Sequence, residues 1–303
     1  MRTARLIINP SSGRGEGASV SEEAQRLLRS SFDVVEAHVS TSADNAMALA
    51  RDARENRFDA VFAMGGDGTV STVVRGLLDG VGEKEEIPIL GILPGGTGNG
   101  FARTLGLPSD AVETLEALDF DTAIPLDVCF ANGVPFTYTL TGGSLPEGIR
   151  EVPSEDKARF GFLAYVASEL QRIGDDRHHR LRISVDGDAM VEDINSFVAL
   201  SANTLVNLFI SNADTEIDNG LIYLLALKDA SLASLLSLVP DAVTQSIDEN
   251  DNVMFLCGSH IRVECLDGDM RCGMDGDDGP LLPVDLTVQP GRLRTFPLRK
   301  DLA

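Results

Sequence analysis

Apolar runs alternate with segments of helical spacing over the first 125 residues of this 303-residue chain. Asp59–Met64 and Ile87–Leu93 are nearly continuous apolar runs, as expected for parallel strands that are covered on both faces. Ala18–Ser30 instead places its apolar residues on one side of a helix. The repeated strand–helix–strand order predicts an α/β fold, a doubly wound parallel sheet with helices on both faces.

Short strands separated by turns replace this pattern in the second half of the chain. Ile183–Val185 and Met190–Ile194 flank Asp186-Gly187, a dipeptide typical of a tight β-hairpin. Further short apolar runs follow, such as Leu221–Leu227 and Ile261–Cys265. The pattern predicts a mostly antiparallel β-sandwich.

These two patterns divide the chain into two predicted domains. We expect an α/β domain over residues 1–125 and a β-rich domain over residues 126–290. Residues from about 290 to 303 are candidates to complete the first domain. Two helices, Phe160–Ile173 and Ser231–Leu238, are predicted inside the β-rich domain.

Two glycine-rich turns follow the two buried strands of the predicted parallel sheet. Gly65-Gly66-Asp67-Gly68-Thr69 comes after the first strand, and Pro94-Gly95-Gly96-Thr97-Gly98-Asn99-Gly100 comes after the second. Ligands of open parallel sheets bind at the carboxyl ends of the strands, where helix N-termini offer free N–H groups to phosphate. Glycine at these positions can adopt positive φ and let an anion approach the backbone. We therefore predict a phosphate site, and turns that only connect strand to helix are the weaker alternative.

The chemistry of the first turn also indicates a metal ion. No GxxxxGK[ST] segment occurs, so the chain is not a P-loop nucleotide hydrolase. Asp67 lies inside the predicted phosphate turn, and a bare carboxylate there would repel phosphate. We expect Mg²⁺ or a bridging water to accompany it.

The formal charge of −22 restricts the possible partners. So large an acidic excess excludes non-specific binding to nucleic acid, which requires a basic surface. Lysine occurs at only four positions, and arginine supplies the other cations. This composition fits a protein of concentrated salt, where charge repulsion is screened over about 3 Å at 1 M, or a merely acidic protein.

The cysteine and histidine residues predict no metal cluster. The four cysteines show no CxxC spacing, which indicates reduced thiols in a cytoplasmic protein. His178 and His179 are adjacent, so in a strand they would point to opposite faces and form a solvated pair. The opening residues show no signal-peptide pattern, and no apolar run reaches the ~18 residues of a membrane span.

Taken in order, the motifs resemble those of the diacylglycerol kinase-like lipid kinases, in their bacterial or archaeal form. The likeness covers nearly the whole chain and includes both glycine turns. Its other segments are Asn9-Pro10-Ser11-Ser12-Gly13, Phe101-Ala102-Arg103, Leu126-Asp127-Val128 and Asp275-Gly276-Asp277. A glycine turn of the first kind alone is shared with NAD kinases and sphingosine kinases.

The resemblance implies an enzyme of phospholipid biosynthesis that transfers the γ-phosphoryl group of ATP to a hydroxyl of a diacylglycerol-like or sphingoid-like lipid. ATP would be the co-substrate and Mg²⁺ the cofactor, with the active site between the domains and the lipid taken from a membrane surface. A homodimer is left open. The implied ATP-binding residues are Asn9, Ser40, Thr41, Gly65, Gly66, Asp67, Gly68, Thr69, Val70, Ser71, Gly96, Thr97 and Asn99.

The resemblance also assigns a base and metal ligands. Asp277 would take the proton from the attacking hydroxyl. In an extended segment Asp275 would face the same side, so one acid could act as base while the other holds metal or water. A structural Mg²⁺ in bacterial relatives corresponds to the turn Asp218-Asn219-Gly220-Leu221. The implied metal ligands are Asp67, Asp127, the Asn219 side chain and the carbonyl groups of Glu216 and Leu221.

Four positions depart from the family's pattern. Thr72 replaces a frequent glutamate, Gly100 replaces an acid, Asn219 replaces an aspartate, and Asp277 replaces a glutamate. Two alternatives to the lipid kinase stay open, the first because of the changes at Thr72, Gly100 and Asn219. One is a nucleotide-binding regulator that has lost catalysis, and the other is an NAD kinase-like enzyme with a soluble acceptor.

Overall fold

The computed structural model describes residues 1–11, 17–82, 85–96, 98–143, 178–202, 204–205, 208–209, 217–229 and 250–299. The chain divides into two compact units. The first unit comprises residues 1–128, 135–137 and 289–303, and the second comprises residues 129–134 and 138–288. The predicted helices at 160–173 and 231–238 lie outside the described residues. No helix among the described residues is long and apolar enough to cross a membrane.

The first unit contains a parallel sheet surrounded by helices. Its elements are β1 (Thr3–Ile8), α1 (Gly17–Leu28), β2 (Val34–Val39), α2 (Ala43–Glu55), β3 (Ala60–Gly65), α3 (Asp67–Leu78), β4 (Ile89–Pro94), α4 (Gly100–Thr104) and α5 (Ala111–Ala117). Three further strands, β5 (Ile124–Ala131), β6 (Val134–Phe136) and β18 (Val284–Thr295), contain residues of both units. The strand order is β2-β1-β3-β4, all parallel, and the end of β18 joins β4 through a parallel pair of Thr295 and Leu90.

This strand order makes the sheet doubly wound, as predicted. From β1 the chain first moves outward to β2 and then crosses back to β3 on the other side of β1. Right-handed crossovers place α1 on one face and α2 with α3 on the other. The observed packing agrees, because α2 packs on α3 and α1 packs on α5. The reversal between β1 and β3 is the position where sheets of this type bind ligands.

Four phenylalanines form the centre of the first unit's core. Phe62 of β3 is fully buried, and Phe296 stacks on it with ring centroids 5.7 Å apart and planes inclined by 8°. Phe32 and Phe120 contact both rings edge-on. A side chain at Gly91 of β4 would overlap the Phe62 ring. Glycine in that strand therefore makes room for the aromatic core.

The second unit is built from antiparallel strands, as the sequence predicted. Its elements are β7 (Thr139–Gly143), β8 (His179–Val185), β9 (Asp188–Ile194), β10 (Ser196–Leu200), β11 (Thr204–Leu205), β12 (Leu208–Phe209), β13 (Ile222–Leu227), β14 (Val253–Gly258), β15 (His260–Cys265), β16 (Arg271–Met274) and β17 (Asp277–Leu281). One sheet has the order β14-β13-β10-β7-β16-β17, and the start of β18 continues into β15, β8 and β9. The predicted hairpin at Asp186-Gly187 connects β8 to β9, with φ of 49° and 102°.

Several strands and one helix were not predicted from the sequence. β7, β16 and β17 are short and contain glycine, which weakens the alternation that identifies a strand. In β7, Gly142 lies directly opposite Phe197 of β10, whose ring covers the space a side chain would fill. Helix α5 was also missed, although its signal was present. The Asp110 carboxylate caps it by accepting hydrogen bonds from the N–H groups of Val112 and Glu113.

Candidate functional site

The two glycine turns contact each other through their backbones. Gly66 precedes α3, and Gly96 lies in the turn between β4 and α4. A Cβ atom placed on Gly96 would lie 2.5 Å from the Gly66 Cα atom, and one placed on Gly66 would lie 3.3 Å from the Gly96 Cα atom. No real Cβ atom tolerates the shorter separation. Gly96 therefore requires glycine, and Gly66 leaves little room for a side chain, because the carboxyl ends of β3 and β4 are drawn together.

The expectation that these glycines adopt positive φ is wrong. Gly66 has φ of −89°, and Gly65, Gly68 and Gly96 also lie outside the left-handed region. A side chain at Gly65 would overlap Thr69 of the same turn. The residue that adopts the left-handed conformation is Asn99, with φ of 49°. Close approach, and not backbone strain, accounts for Gly65 and Gly66 of the first turn.

Polar side chains hold the paired turns in position. The Asp67 carboxylate accepts hydrogen bonds from the N–H groups of Gly100 (3.0 Å) and Phe101 (2.9 Å), and so caps α4. The buried side chain of Asn99 accepts from the Gly96 N–H at 2.9 Å and donates to the Gly96 carbonyl at 2.8 Å. Asp67 therefore has a structural role in addition to the metal binding predicted for it. A carboxylate fixed in this way retains lone pairs for a cation or water.

The residues predicted on the adenosine side follow β1 and β2. Asn9 donates from its amide to the Thr69 hydroxyl at 2.9 Å and so connects the end of β1 to α3. The buried Ser40 hydroxyl donates to the Ile8 carbonyl at 3.0 Å. Thr41 is exposed and donates its N–H to the Asn45 side chain. The structure thus brings Asn9 to the glycine turns, whereas the Ser40 side chain is engaged with β1.

Helix α3 presents a free N-terminus and open space beside it. Its N-cap residue is Gly66, which has no side chain to bond the first N–H groups. A Cβ atom placed on Gly68 would meet no described atom within 4 Å. The Ser71 hydroxyl, 2% exposed, has no hydrogen-bond partner among the atoms that the structure describes. Val70 is buried on the same turn, and Thr97, the remaining predicted ATP ligand, lies outside the described residues.

Two acids predicted to bind metal or share catalysis have structural partners. Asp127 of β5 is buried, and its carboxylate accepts the Gly291 N–H at 2.7 Å, which secures the C-terminal strand of the first unit. Asp275 of the second unit is 5% exposed and accepts the N–H groups of Tyr138 (2.9 Å) and Thr139 (3.1 Å). Metal binding by Asp127 and catalysis by Asp275 stay predictions.

The expectation that Asp275 and Asp277 share one side of an extended segment is wrong. Asp275 and Gly276 have φ of 51° and 92° and form the tight turn between β16 and β17. Asp277 begins β17 and is exposed, whereas Asp275 is buried beneath the turn. A dipeptide of this kind prefers a hairpin turn to a strand, which places the two carboxylates in different surroundings. Asp277 is thus the carboxylate of this turn that is open to a substrate.

The turn predicted to hold a structural Mg²⁺ has a neutral amide at the position of the predicted side-chain ligand, and metal binding there stays a prediction. Mg²⁺ requires octahedral oxygen ligands, usually with one or two carboxylates. Asn219 offers a neutral amide, whose oxygen accepts the Leu221 N–H at 3.0 Å and whose nitrogen donates to the Tyr223 hydroxyl at 2.5 Å. Glu216 lies outside the described residues. The amide of Asn219 thus carries no charge and is bonded to Tyr223 and Leu221, and the carboxylate of this turn belongs to the exposed Asp218.

Sequence reasoning passed over one cation in the last turn of α3. Arg75 lies on α3, and its Nε donates to the Pro135 carbonyl at 3.3 Å. Its buried Nη2 has no partner among the described atoms. Its signal in the sequence is weak, because Arg75 is one of two charged residues of α3, the other being Asp67 in the first turn.

Two family models match the chain in succession. Residues 3–131 match the "Diacylglycerol kinase catalytic domain", and residues 149–297 match the "YegS C-terminal NAD kinase beta sandwich-like domain". The first match includes both glycine turns, and the second includes the Asp275-Gly276-Asp277 turn.

Similar proteins of known name span nearly the whole chain. A protein of Streptococcus pneumoniae serotype 4 named "Putative lipid kinase" is 32% identical, over 99% of this chain and 100% of that protein. The "Diacylglycerol kinase" of Bacillus subtilis is 29% identical, over 93% of this chain and 92% of its own length. A crystal structure from Bacillus anthracis, titled as that of a putative diacylglycerol kinase, matches with a TM-score of 0.80 and 21% identity, over 100% of this chain and 97% of the other. At that identity the structural match supports the fold.

Proposed function

Because the chain belongs to the diacylglycerol kinase-like family of lipid kinases, we propose that it transfers the γ-phosphoryl group of ATP to a hydroxyl group of a lipid. The observation that carries the proposal is the contact between Gly66 and Gly96. Two turns meet through glycines at the carboxyl ends of neighbouring parallel strands, next to the position where the strand order reverses. Phosphate groups bind at such positions through backbone N–H groups.

The phosphates of ATP would lie over the N-terminus of α3. The first N–H groups of a helix have no partner inside it, and the N-cap residue of α3, Gly66, has no side chain to cap them. The open space beside Gly68 gives an anion access to these groups. The Asp67 carboxylate is turned toward α4 by two hydrogen bonds, so its charge is partly offset by N–H donors. Mg²⁺ bound with ATP would neutralise charge that develops on the transferred phosphoryl group.

Asp277 would act as the general base. Its carboxylate is exposed at the start of β17, while Asp275 holds the preceding turn in place through two backbone N–H groups. A base must reach the hydroxyl proton within hydrogen-bond distance, directly or through one water. Proton removal of this kind contributes about 10²–10⁴-fold to a rate. Positioning of the phosphates and charge neutralisation would supply the remainder.

The lipid acceptor is supported by the relatives, two of which are named for lipid or diacylglycerol phosphorylation. A soluble acceptor is the second candidate, because the model that matches residues 149–297 is described as NAD kinase-like. A regulator without turnover is the third, since Asn219 has lost the expected charge. One experiment distinguishes the three.

Purified protein would be incubated with Mg²⁺ and [γ-³²P]ATP, together with diacylglycerol or sphingosine in mixed micelles, or with NAD in solution. The proposal predicts label in a lipid, and none in NAD. Label in NAD alone would establish the soluble acceptor and refute the lipid. ATP binding by calorimetry without label in any acceptor would favour the regulator.

A further inference from the structure

Three side chains that the proposed reaction leaves unassigned lie together in the second unit. They are the imidazole of His179, the thiol of Cys265 and the carboxylate of Asp267, and one ligand atom of each lies within 4.8 Å of the others. We propose that this cluster binds a divalent transition metal such as Zn²⁺, with three protein ligands and a water in the fourth position. Nitrogen, thiolate and carboxylate ligands in this number are typical of zinc sites.

The strand register explains how the cluster forms. Cys265 of β15 lies directly opposite Leu181 of β8, so the two side chains point to the same face of the sheet. His179 precedes Leu181 by two residues on β8 and shares that face. Leu181 is fully buried, whereas His179 and Cys265 are half-buried. The nitrogen and sulfur atoms therefore lie at the rim of a buried face, within reach of solvent and of an entering ion.

Asp267 is held in position before any metal binds. One carboxylate oxygen accepts the Arg180 N–H at 3.0 Å, and the other accepts the Cys265 thiol at 3.0 Å. The Leu266 N–H also donates to the Arg180 carbonyl at 2.8 Å, which fixes the turn after β15 against β8. A backbone donor that orients a ligand in this way supports metal binding from the outer shell.

Binding of the ion exchanges a proton for a metal–sulfur bond. The Cys265 S–H bond breaks, its proton passes to water, and the thiolate and the freed Asp267 oxygen coordinate the ion, while Arg180 continues to hold the second oxygen. Without metal, burial and the neighbouring Asp267 carboxylate raise the pKa of the Cys265 thiol, so the thiol keeps its proton. Thiolate and carboxylate together balance the charge of a divalent ion, and the net charge of −22 attracts cations.

The cluster could not be recognised from the sequence because its ligands are far apart in the chain. Cys265 and Asp267 follow His179 by more than 80 residues, and no CxxC spacing connects them. The adjacent His178 precedes β8 and is exposed. His178 therefore provides a matched control for His179, and the exposed Cys257 of β14 provides one for Cys265.

The test uses Co²⁺, which reports thiolate coordination through a sulfur-to-cobalt charge-transfer absorption band. Titration of the full-length protein should produce this band at one equivalent, and Zn²⁺ should remove it by competition. Cys265→Ser should abolish the band, while Cys257→Ser should leave it unchanged. His179→Ala should weaken Co²⁺ binding by about 10-fold or more, and His178→Ala should not.

Absence of the band in the unmodified protein would overturn the proposal. So would loss of the band in Cys257→Ser instead of Cys265→Ser, or equal affinities of the His178→Ala and His179→Ala variants. The readout is metal binding alone, so a failure of the lipid kinase assay would leave this result unaffected.

Discussion

The paired glycine turns of the first unit and the Asp275-Gly276 turn of the second unit are stabilised in opposite ways. Gly66 and Gly96 meet because neither has a side chain, and an added Cβ atom would separate them. The other turn depends on a side chain, since the buried Asp275 carboxylate binds two backbone N–H groups. Adding atoms should therefore damage the first region, and removing atoms should damage the second.

The comparison shows that residues of a motif divide into those that fix its shape and those left to contact a ligand. In the first unit, Asp67 and Asn99 bond to backbone groups and hold the turns, which leaves the N–H groups of α3 for an anion. In the second unit, Asp275 fixes the turn and Asp277 stays exposed. The sequence motif alone does not distinguish the residues that fix a turn from those that are left to contact a ligand.

The largest effect on stability is expected from Asp275→Ala. The substitution leaves the N–H groups of Tyr138 and Thr139 without their charged acceptor, which should lower the free energy of unfolding by about 3 kcal/mol. Asp277→Ala, two residues away and exposed, should change it by less than about 0.5 kcal/mol. Urea denaturation of both variants measures the difference. Equal stabilities would mean that the Asp275 carboxylate does not hold the turn.

In the paired glycine turns of the first unit, Gly96→Ala should destabilise the fold clearly. Its methyl group would lie 2.5 Å from the Gly66 Cα atom, and the resulting shift should cost about 2 kcal/mol. Gly98→Ala in the same turn is the control, because its methyl group would make an ordinary contact at 3.4 Å with Asp67. Thermal unfolding of the pair tests the close approach, and a Gly96→Ala protein as stable as the Gly98→Ala protein would disprove it.

Gly68→Val should separate ligand binding from folding. A side chain there enters open space among the described atoms, and valine suits a helix better than glycine, so stability should not fall. If phosphate occupies that space, ATP affinity should drop by about 10-fold or more, near 1.4 kcal/mol. Gly82→Val, also in open space but outside α3, should bind ATP normally. The measurement is calorimetric titration with ATP. Equal ATP affinities of the two variants would show that the nucleotide does not bind at the N-terminus of α3.

A smaller effect is expected at Arg5, a buried charge of the first unit. Its guanidinium pairs with Glu36 and Asp52 and holds the pKa of both carboxyls below their ordinary values of 4.5 and 3.8. Groups with a lowered pKa stabilise the fold above those ordinary values, and the stabilisation is lost as the pH falls through the lowered ones.

Both carboxyls are about half exposed, so solvent screening should limit the contribution to less than about 1 kcal/mol. Arg5→Met should therefore flatten the decline of the unfolding free energy between about pH 5 and pH 2. The measurement is urea denaturation across that range. Parallel curves for the two proteins would show that these ion pairs do not couple stability to pH.

The sequence predicted the order of elements but not the contacts that shape the site. Strand and helix periodicity is local, so β3, α3 and β4 could be located before the structure was known. The bonds from Gly100 and Phe101 to Asp67 cross more than 30 residues, and no local pattern records them. The same holds for the burial of Asp275 and for the His179–Cys265–Asp267 cluster, which arise from strand pairing between distant segments. The predicted role of positive φ failed because glycine serves close approach as well as backbone freedom.

The most direct test of the central proposal is the rate of phosphoryl transfer to lipid by variants of Asp277. Asp277→Asn should lower the rate by at least about 10²-fold with ATP affinity nearly unchanged, because it removes the base but not the phosphate site. Asp277→Glu should retain or raise activity. Asp278→Asn, which loses the same charge at the next exposed position, should remain close to the unmodified protein. An Asp277→Asn protein as active as the unmodified one would contradict the assignment of the base, and an unmodified protein that labels no lipid, with or without Asp277→Glu, would contradict the proposed kinase.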